Sequence, residues 1–130
     1  MANGNLSLDG TALLNDPAHN RGTAFTEQER ATHHLEGLLP AAVDDLPTQL
    51  KRVLDHLSAK PTFLEQYIYL QDLCDRNETL FYAKLMSDPA RFVPIVYDPT
   101  IADACLTYGH IYRRPQGMYL NKRKIGRAHV

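Results

Sequence analysis

Between Pro40 and Pro61, apolar side chains recur at spacings of three and four residues, which places them on one face of an α-helix. They are Leu46, Leu50, Val53, Leu54 and Leu57. The segment after Pro61 opens with Thr62 and Glu65, a pair typical of a capping box, and its apolar band is wider than a surface helix needs. We therefore predict two consecutive helices, the second of them central to the fold.

Similar start and stop signals predict further helices on both sides. Thr26 and Glu29 form a second capping-box pair, and the helix that they open is expected to end at Gly37. Asn77 is expected to cap a helix that closes before Pro89.

The later segments introduce sparse β structure. Residues 94–97, a β-branched and aromatic run between prolines, favour a short strand, and residues 118–120 a second one. A helix is predicted from Thr100 through Tyr112, followed by a loop at 113–117. The predicted fold class is mainly α, with one or two short β-strands near the C-terminal end.

Composition limits the domain organisation and the classes of partner. A chain of 130 residues fits one domain, with residues 1–22 read as an extended arm. The 14 Lys+Arg residues nearly balance the 15 Asp+Glu residues, which argues against a nucleic-acid or membrane-surface partner. Cys74 and Cys105 lack metal-site spacing and are expected to be buried thiols. Neither a signal peptide nor a membrane span is recognisable, so a cytoplasmic location is predicted.

Two groups of residues are candidates for chemistry. Tyr97 ends the predicted strand beside a proline turn, where a phenol can serve as a proton donor, although a packed tyrosine is the commoner case. Arg52 and Arg76, helped by Lys51 and Arg30, can converge on a dicarboxylate through bidentate contacts. The alternative is ordinary ion pairing with the acidic residues nearby, which are Asp44, Asp45, Asp75 and Glu78.

Two further pairs carry weaker signals. Arg113 and Arg114 lie in a predicted loop and can clamp an anion, but a solvated or interface role is commoner. His33 and His34 are adjacent, so on a helix they point in different directions and do not form a metal pair.

Six segments, taken together in their order along the chain, identify a protein family more specifically than any one of them. They are Asn20-Arg-Gly-Thr-Ala-Phe-Thr26, Gly37-Leu-Leu-Pro40, Tyr67-Ile-Tyr-Leu70, Asp75-Arg-Asn-Glu-Thr-Leu-Phe-Tyr82, Pro94-Ile-Val-Tyr-Asp-Pro-Thr100 and Arg113-Arg-Pro-Gln-Gly117. In this order and spacing, the chain closely resembles the N-terminal domain of malic enzymes from Leu13 to Leu120. The resemblance implies that residues 23–120 are part of that domain. Residues 121–130 are expected to be a non-native or truncated tail, because residues 125–130 match a translated sequencing adapter.

The resemblance implies roles for individual residues. Tyr97 matches the family's general acid, which protonates the enolpyruvate carbon after carbon dioxide leaves. Arg52 and Arg76, with Gln49 and Asp44, match positions that bind the activator fumarate at a dimer interface in some members. Ion pairing at that interface is the alternative.

For the complete enzyme, the resemblance implies oxidative decarboxylation of malate to pyruvate and carbon dioxide, with NAD or NADP as cofactor and Mg²⁺ or Mn²⁺ as metal. The family's lysine, metal ligands and dinucleotide domain lie beyond this stretch. The 130-residue chain alone is therefore expected to be inactive and to bind neither cofactor nor metal. A bacterial-type homo-oligomer, dimer or tetramer, is expected.

Two alternatives remain open. Asp98 replaces the threonine that usually follows the catalytic tyrosine, and this form resembles malolactic enzymes, which convert malate to lactate with bound NAD. A chain that kept only its dicarboxylate and oligomerisation surfaces would instead be a non-catalytic helical binding module.

Overall fold

The structure is a computed structural model that describes residues 8–115. Within that range helices follow one another without a β-strand, and none combines the length and apolar composition needed to cross a bilayer. In chain order the elements are α1 (Gly10–Leu14), a 3₁₀ turn (Gly22–Ala24), α2 (Glu27–Thr32), α3 (Leu46–Ser58), α4 (Phe63–Arg76), α5 (Glu78–Ser87), α6 (Pro89–Val96), α7 (Thr100–Leu106) and α8 (Tyr108–Ile111). The prediction of a mainly α fold is confirmed.

Helix α3 lies between the two prolines, as predicted. The Asp45 side chain accepts a hydrogen bond from the Thr48 N–H at 2.9 Å and so caps the first turn. Pro47 lies in that turn, where its missing N–H has no intrahelical partner to lose. Val53 and Leu57 are buried on the inner face.

Helix α4 occupies the centre of the fold, as its wide apolar band predicts. It packs against α5, α6 and α7. Its cap also forms, since the Thr62 hydroxyl oxygen accepts a hydrogen bond from the Glu65 N–H at 3.2 Å. The buried residues of the main core are Val53, Leu57, Tyr67, Leu70, Leu73, Leu80, Phe81, Phe92, Ile95 and Ala104.

Asn77 joins α4 to α5 without a linker. Its N–H donates to the Leu73 carbonyl at 2.7 Å, which closes α4. Its side-chain oxygen accepts from the Leu80 N–H at 3.1 Å, which opens α5. The predicted cap is confirmed, and α5 ends at Ser87, before Pro89.

Residues 94–97, predicted as a strand, are instead the end of α6 and its C-terminal cap. The Asp88 carboxylate accepts from the Arg91 N–H at 3.3 Å, and Pro89 stands at the first helical position, where a proline is tolerated. The helix is thus started by signals that lie upstream of the β-branched run.

Burial explains why α6 persists through this run. Phe92 and Ile95 lie three residues apart and are both buried in the main core. A strand would send them to opposite faces, whereas a helix places them on one. The strand prediction for 94–97 is therefore wrong, and the second predicted strand, 118–120, lies outside the described residues.

Helix α2 starts as predicted but ends earlier than expected. The Thr26 side chain accepts from the Glu29 N–H at 3.2 Å, and the Glu29 carboxylate accepts from the Thr26 N–H at 2.9 Å, which completes the capping box. The helix ends at Thr32 and does not reach Gly37.

A non-glycine residue terminates α2. His34 has a φ of 56°, in the left-handed region, and the Leu35 N–H reaches back to the Arg30 carbonyl at 2.8 Å. This is the hydrogen bond of a Schellman-type helix end, in which glycine usually takes the left-handed position. Because His34 takes it here, the prediction that Gly37 ends the helix is wrong.

The predicted helix from Thr100 through Tyr112 is divided into α7 and α8. At the division, the Thr107 N–H and hydroxyl both donate to the Asp103 carbonyl, at 3.2 and 2.9 Å. Threonine side chains compete in this way with the helical backbone pattern. Residues 113–115 form the predicted loop.

The N-terminal segment is folded onto the helices. Leu13, in α1, is buried together with Phe25 and Leu35 in a second small core. The expectation that residues 1–22 are extended is thus wrong for α1, because Leu13 gains burial when this stretch is helical.

Two backbone-directed hydrogen bonds dock the same segment on the junction of α4 and α5. The Glu78 N–H donates to the Pro17 carbonyl at 3.0 Å, and the Asn20 amide donates to the Arg76 carbonyl at 2.8 Å. The segment therefore obtains its order from contacts with the rest of the chain.

The two cysteines differ in exposure. Cys74 is half-buried against the main core, whereas Cys105 is exposed, and both are free thiols. The expectation of a buried thiol is wrong for Cys105, which lies on the outer side of the short helix α7 while Ala104 faces inward.

Candidate functional site

Two helix faces meet around a cavity of about 370 Å³. On each helix, most of the contributing residues are separated by three or four positions, so they share a face. Helix α3 contributes Gln49, Arg52, Val53 and His56, and helix α4 contributes Tyr69, Leu73 and Arg76. The N-terminal segment and the start of α5 complete the wall with Asn20, Gly22, Thr23, Asn77 and Leu80.

Gln49 fixes the polar side of this cavity, where α3 meets the N-terminal segment. Only 6% of this residue is exposed, and its amide donates to the Arg21 carbonyl at 3.1 Å and to the Thr23 hydroxyl at 3.3 Å. The Thr23 hydroxyl in turn donates to Asp44 at 2.7 Å. A buried amide with these partners is fixed in orientation and ties α3 to the N-terminal segment.

Asp44 orients Arg52. The guanidinium of Arg52 donates to the Asp44 carboxylate at 2.9 Å. Hydrogen bonds from Arg52 and then from Thr23 hold the pKa of Asp44 below its ordinary value. Asp44 therefore stays ionised, and the ion pairing considered as the alternative for Arg52 is present.

Arg76 approaches the cavity from α4. Its Nε donates to the Asp72 carboxylate at 2.9 Å, one turn earlier on the same helix. This ion pair therefore does not involve Asp75 or Glu78, which were predicted as partners. A guanidinium has five N–H donors, so an ion pair through one nitrogen is compatible with binding an anion through others.

The structure thus brings together three of the residues predicted for a dicarboxylate site, Gln49, Arg52 and Arg76, and places Asp44 behind Arg52. It also adds His56 and Tyr69, which the sequence reasoning missed. The signal was available for His56, because it follows Arg52 by four residues on a predicted helix.

Arg30 and Lys51 do not take part, contrary to expectation. Arg30 is buried, and its guanidinium donates to main-chain carbonyls only. The acceptors are Thr23, Phe25, Pro40, Ala41 and Ala42, at 2.7 to 3.4 Å. Lys51 pairs with Asp55 at 3.6 Å on the exposed side of α3.

The other candidate pairs lie elsewhere. Arg114 donates to the Asp75 carbonyl at 3.2 Å, and Arg113 lines a separate cavity of about 410 Å³ that also includes Lys60. His33 contacts Asp9 at 3.0 Å.

Residues that could ligate a metal are dispersed over the described part of the chain. Across residues 8–115, no three His, Cys, Asp or Glu side chains are grouped so that they could hold a metal ion. The residues of this part of the chain therefore do not form a site for the Mg²⁺ or Mn²⁺ that the resemblance implies.

Tyr97 is separate from the cavity. It caps the end of α6, where its N–H donates to the Val93 carbonyl and its carbonyl accepts from the Ile101 N–H, each at 2.9 Å. The residue is 66% exposed and is not among the described residues that line the arginine cavity. The two predicted sites therefore occupy different places on the domain.

Comparison with known proteins agrees with the motifs. A family model described as the malic enzyme N-terminal domain matches residues 74–129. The chain is 46% identical over 118 residues to an NADP-dependent malic enzyme of Phaseolus vulgaris, a match that covers 91% of this chain and 20% of that protein. Identity is 43% over 119 residues to a chloroplastic NADP-dependent malic enzyme of Oryza sativa subsp. japonica, with 92% and 19% covered.

A third relative, NADP-dependent malic enzyme 1 of Arabidopsis thaliana, is 45% identical over 118 residues, with 91% of this chain and 20% of that protein covered. The chain thus spans about a fifth of the length of the curated relatives it matches. The family model thus matches residues 74–129, and the similarity to these relatives extends over about nine tenths of the chain.

Proposed function

We propose that this chain is the N-terminal domain of an NADP-dependent malic enzyme, which oxidises malate to pyruvate and carbon dioxide. The observation that carries the proposal is the identity of 46% over 118 residues to an enzyme of that name. NADP is favoured over NAD because the relatives described above are named for it. Mg²⁺ or Mn²⁺ and a homo-oligomer belong to the same proposal, as does a cytoplasmic location.

Within that enzyme, we assign the general-acid role to Tyr97. A phenol that is 66% exposed is accessible to a substrate bound by other parts of the enzyme. In the enzyme that contains this domain, Tyr97→Phe should lower kcat by about 10²- to 10⁴-fold, the range for losing a general acid. Tyr82→Phe is the matched control, since Tyr82 is also an exposed tyrosine and lies on α5. Equal rates for the Tyr97 variant and the native enzyme would remove Tyr97 from the mechanism.

The 130-residue chain by itself should not turn over malate. The test is absorbance at 340 nm after the purified chain is mixed with malate, NADP⁺ and Mn²⁺. Sustained nicotinamide reduction would show that the chain carries more of the catalytic machinery than Tyr97.

We further propose that the cavity between α3 and α4 binds a dicarboxylate regulator such as fumarate. The observation that carries this step is the presence of Arg52 and Arg76 on two helix faces around one cavity, with the buried Gln49 amide between them and the N-terminal segment. Two guanidinium groups match the two carboxylates of such a ligand in charge and geometry.

Calorimetric titration of the chain with fumarate tests this assignment. Arg52→Ala and Arg76→Ala should each weaken binding at least about tenfold, because a hydrogen bond to a charged group contributes about 1.5–3 kcal/mol. Arg91→Ala is the control, since Arg91 is exposed on α6 away from the cavity. Undetectable binding, or equal affinity in all three variants, would reject the site.

A malolactic enzyme is the second candidate, favoured by Asp98 next to Tyr97. The two activities differ in product, so analysis of pyruvate and lactate formed from malate by the enzyme that contains this domain decides between them. Lactate without net nicotinamide reduction would identify the malolactic reaction.

A further inference from the structure

His56 and Tyr69 form a polar pair across the cavity, between α3 and α4. The His56 Nδ1 lies 3.1 Å from the Tyr69 hydroxyl oxygen. The two rings meet edge to face, with centroids 5.5 Å apart and planes at 76°. Both residues line the same cavity as Arg52 and Arg76.

Protonation of this pair changes which side chain donates the hydrogen bond between them. A neutral imidazole has one ring nitrogen that accepts, and a phenol can donate its proton to that nitrogen. Once the imidazole is protonated, both of its nitrogens donate, so the Tyr69 oxygen must accept from His56 Nδ1. The Tyr69 hydroxyl proton is then released from His56 and can be donated to a ligand in the cavity.

Tyr69 keeps its own proton across the relevant range. Burial is the main reason that the pKa of the Tyr69 phenol lies above its ordinary value of 10.0. Histidine is the side-chain type that changes charge between about pH 5 and 8. Within this pair, Tyr69 therefore acts as a hydroxyl group and not as a phenolate.

We propose that His56 and Tyr69 are part of the dicarboxylate site and that anion binding there is coupled to the uptake of one proton by His56. This inference rests on the proposed function of the cavity. The protonated pair adds one cation and one hydroxyl donor to the two guanidinium groups. A bound anion in turn favours the charged form of a neighbouring imidazole.

The surroundings of His56 contain both signs of charge. On its own helix, Arg52 is paired with Asp44, and Asp55 is paired with Lys51. The charged groups that act on Tyr69 from α4 and from the turn before it are Arg76, paired with Asp72, and Lys60, whose Nζ lies 5.5 Å from the centre of the Tyr69 ring. Among these side-chain types only histidine ordinarily titrates between about pH 6 and 8, where both carboxylates of fumarate are also ionised.

Calorimetry of the complete 130-residue chain with fumarate at pH 7, in HEPES and in Tris, measures proton uptake directly. Because the two buffers differ in ionisation enthalpy, the apparent binding enthalpies should differ by an amount that corresponds to uptake of a fraction of a proton or one proton. The affinity should fall about three- to tenfold between pH 7 and 8, since a fully linked proton changes it tenfold per unit.

The variants separate this inference from the proposed function. His56→Gln keeps a hydrogen-bonding group next to Tyr69 but should abolish proton uptake and flatten the pH profile, while Tyr69→Phe should weaken binding most at low pH. His110→Gln, an exposed histidine on α8, should behave like the native chain.

Two results would overturn the inference. Fumarate binding that depends on Arg52 but takes up no proton would refute the role of His56 and leave the dicarboxylate site standing. No fumarate binding to the native chain would reject both. The buffer comparison needs no variant, so it decides the question even if His56→Gln fails to fold.

Discussion

At the residue scale, Lys84 brings a positive charge into the core between α3, α5 and α6. It is 5% exposed, its Nζ donates to the Leu50 carbonyl at 3.4 Å, and it lies 4.8 Å from the centre of the Phe92 ring. Burial, and then the charge of Arg91, lower the pKa of Lys84 below its ordinary 10.5. The folded state therefore holds this charge at a cost in stability.

The cost has a defined pH dependence. Between the lowered pKa of the folded chain and 10.5, the unfolded chain binds more protons than the folded one, so the contribution of Lys84 to stability rises with pH in that window. Lys84→Met should raise the free energy of unfolding by about 1 kcal/mol at pH 7, and this gain should shrink towards pH 10.5. Urea denaturation at pH 7, 9 and 10.5 measures it.

The exposed Lys51 provides the control for Lys84. Lys51→Met should leave a difference in stability from the native chain that does not vary with pH in this way. A constant gain for Lys84→Met across the same pH values would contradict the assignment of a buried, charged amine.

Reactivity should distinguish the two cysteines. Burial, followed by the charges of Glu78 and Asp75, raises the pKa of the Cys74 thiol, and burial also restricts access to it, whereas Cys105 is exposed. Because the thiolate is the nucleophile, Ellman's reagent at pH 8 should react with one thiol quickly and with the other at least about tenfold more slowly. Cys105→Ser should remove the fast phase, and loss of the slow phase instead would contradict this assignment.

At the scale of helices, the caps determine where elements begin. Asn77 is buried and satisfies a carbonyl of α4 and an N–H of α5. Asn77→Ala should therefore lower the free energy of unfolding by about 1–2 kcal/mol, since it leaves the Leu80 N–H without its cap.

Thermal and urea denaturation check this value for Asn77. Asn77→Ser should recover part of the loss, because serine is also a good cap. Asn15→Ala, at the exposed C-terminal end of α1, is the control and should change stability by less than about 0.5 kcal/mol. An effect of Asn77→Ala no larger than that of the control would show that α5 does not depend on this cap.

The starts of helices could be predicted because they depend on local groups. Thr26, Asp45, Thr62 and Asn77 each cap the helix that follows, and each is a residue type whose side chain bonds to its own next turn. The apolar spacing of α3 also predicted a helix correctly, because one face of this helix is buried. Local chemistry and tertiary packing agree at these positions.

The failures occur where local preference and tertiary packing disagree. The run 94–97 has strand propensity, but Phe92 and Ile95 gain burial only as neighbours on a helix. The end of α2 at Thr32 differs from the prediction because His34 takes the left-handed position that is usually glycine. At residues 94–97 burial in the main core decides the outcome, and at the end of α2 a histidine takes the position that the rule reserves for glycine.

The residues of the cavity could likewise be predicted only in part. Arg52 and Gln49 could be placed on one face from spacing alone, and the structure brings them next to Arg76. The pairing of His56 with Tyr69 depends on how α3 and α4 are set against each other, and no spacing within one helix gives that relation.

At the scale of the whole molecule, several carboxylates are stabilised in the folded state. The pKa values of Glu29, Asp44 and Asp45 are all lowered. The main causes are a hydrogen bond from the Thr26 N–H to Glu29, from Arg52 to Asp44 and from Thr48 to Asp45. These groups lie at the start of α2 and at the start of α3. Their ionised forms therefore stabilise the first turns of these two helices.

The sign of their effect on stability follows from the lowered values. A carboxyl with a lower pKa in the folded chain contributes stability above its unfolded value, about 3.8 to 4.5 here, and loses it as the pH falls through the folded value. Urea midpoints should hold from pH 7 to about 5 and then decline towards pH 3. In the variant Glu29→Gln, Asp44→Asn, Asp45→Asn the decline should be shallower, and an unchanged slope would assign acid sensitivity to other groups.

The hydrogen bond from Asn20 to the Arg76 carbonyl joins groups 56 positions apart in the sequence. Because Asn20 lines the wall of the cavity, this wall is completed only after a long loop has closed, at an entropic cost that local helix formation does not carry. We expect the cavity to be assembled late during folding, after α3 and α4 have both packed against α5. Asn20→Ala should then speed unfolding while leaving the refolding rate nearly unchanged in stopped-flow measurements, so a ligand of this cavity would recognise only the finished domain.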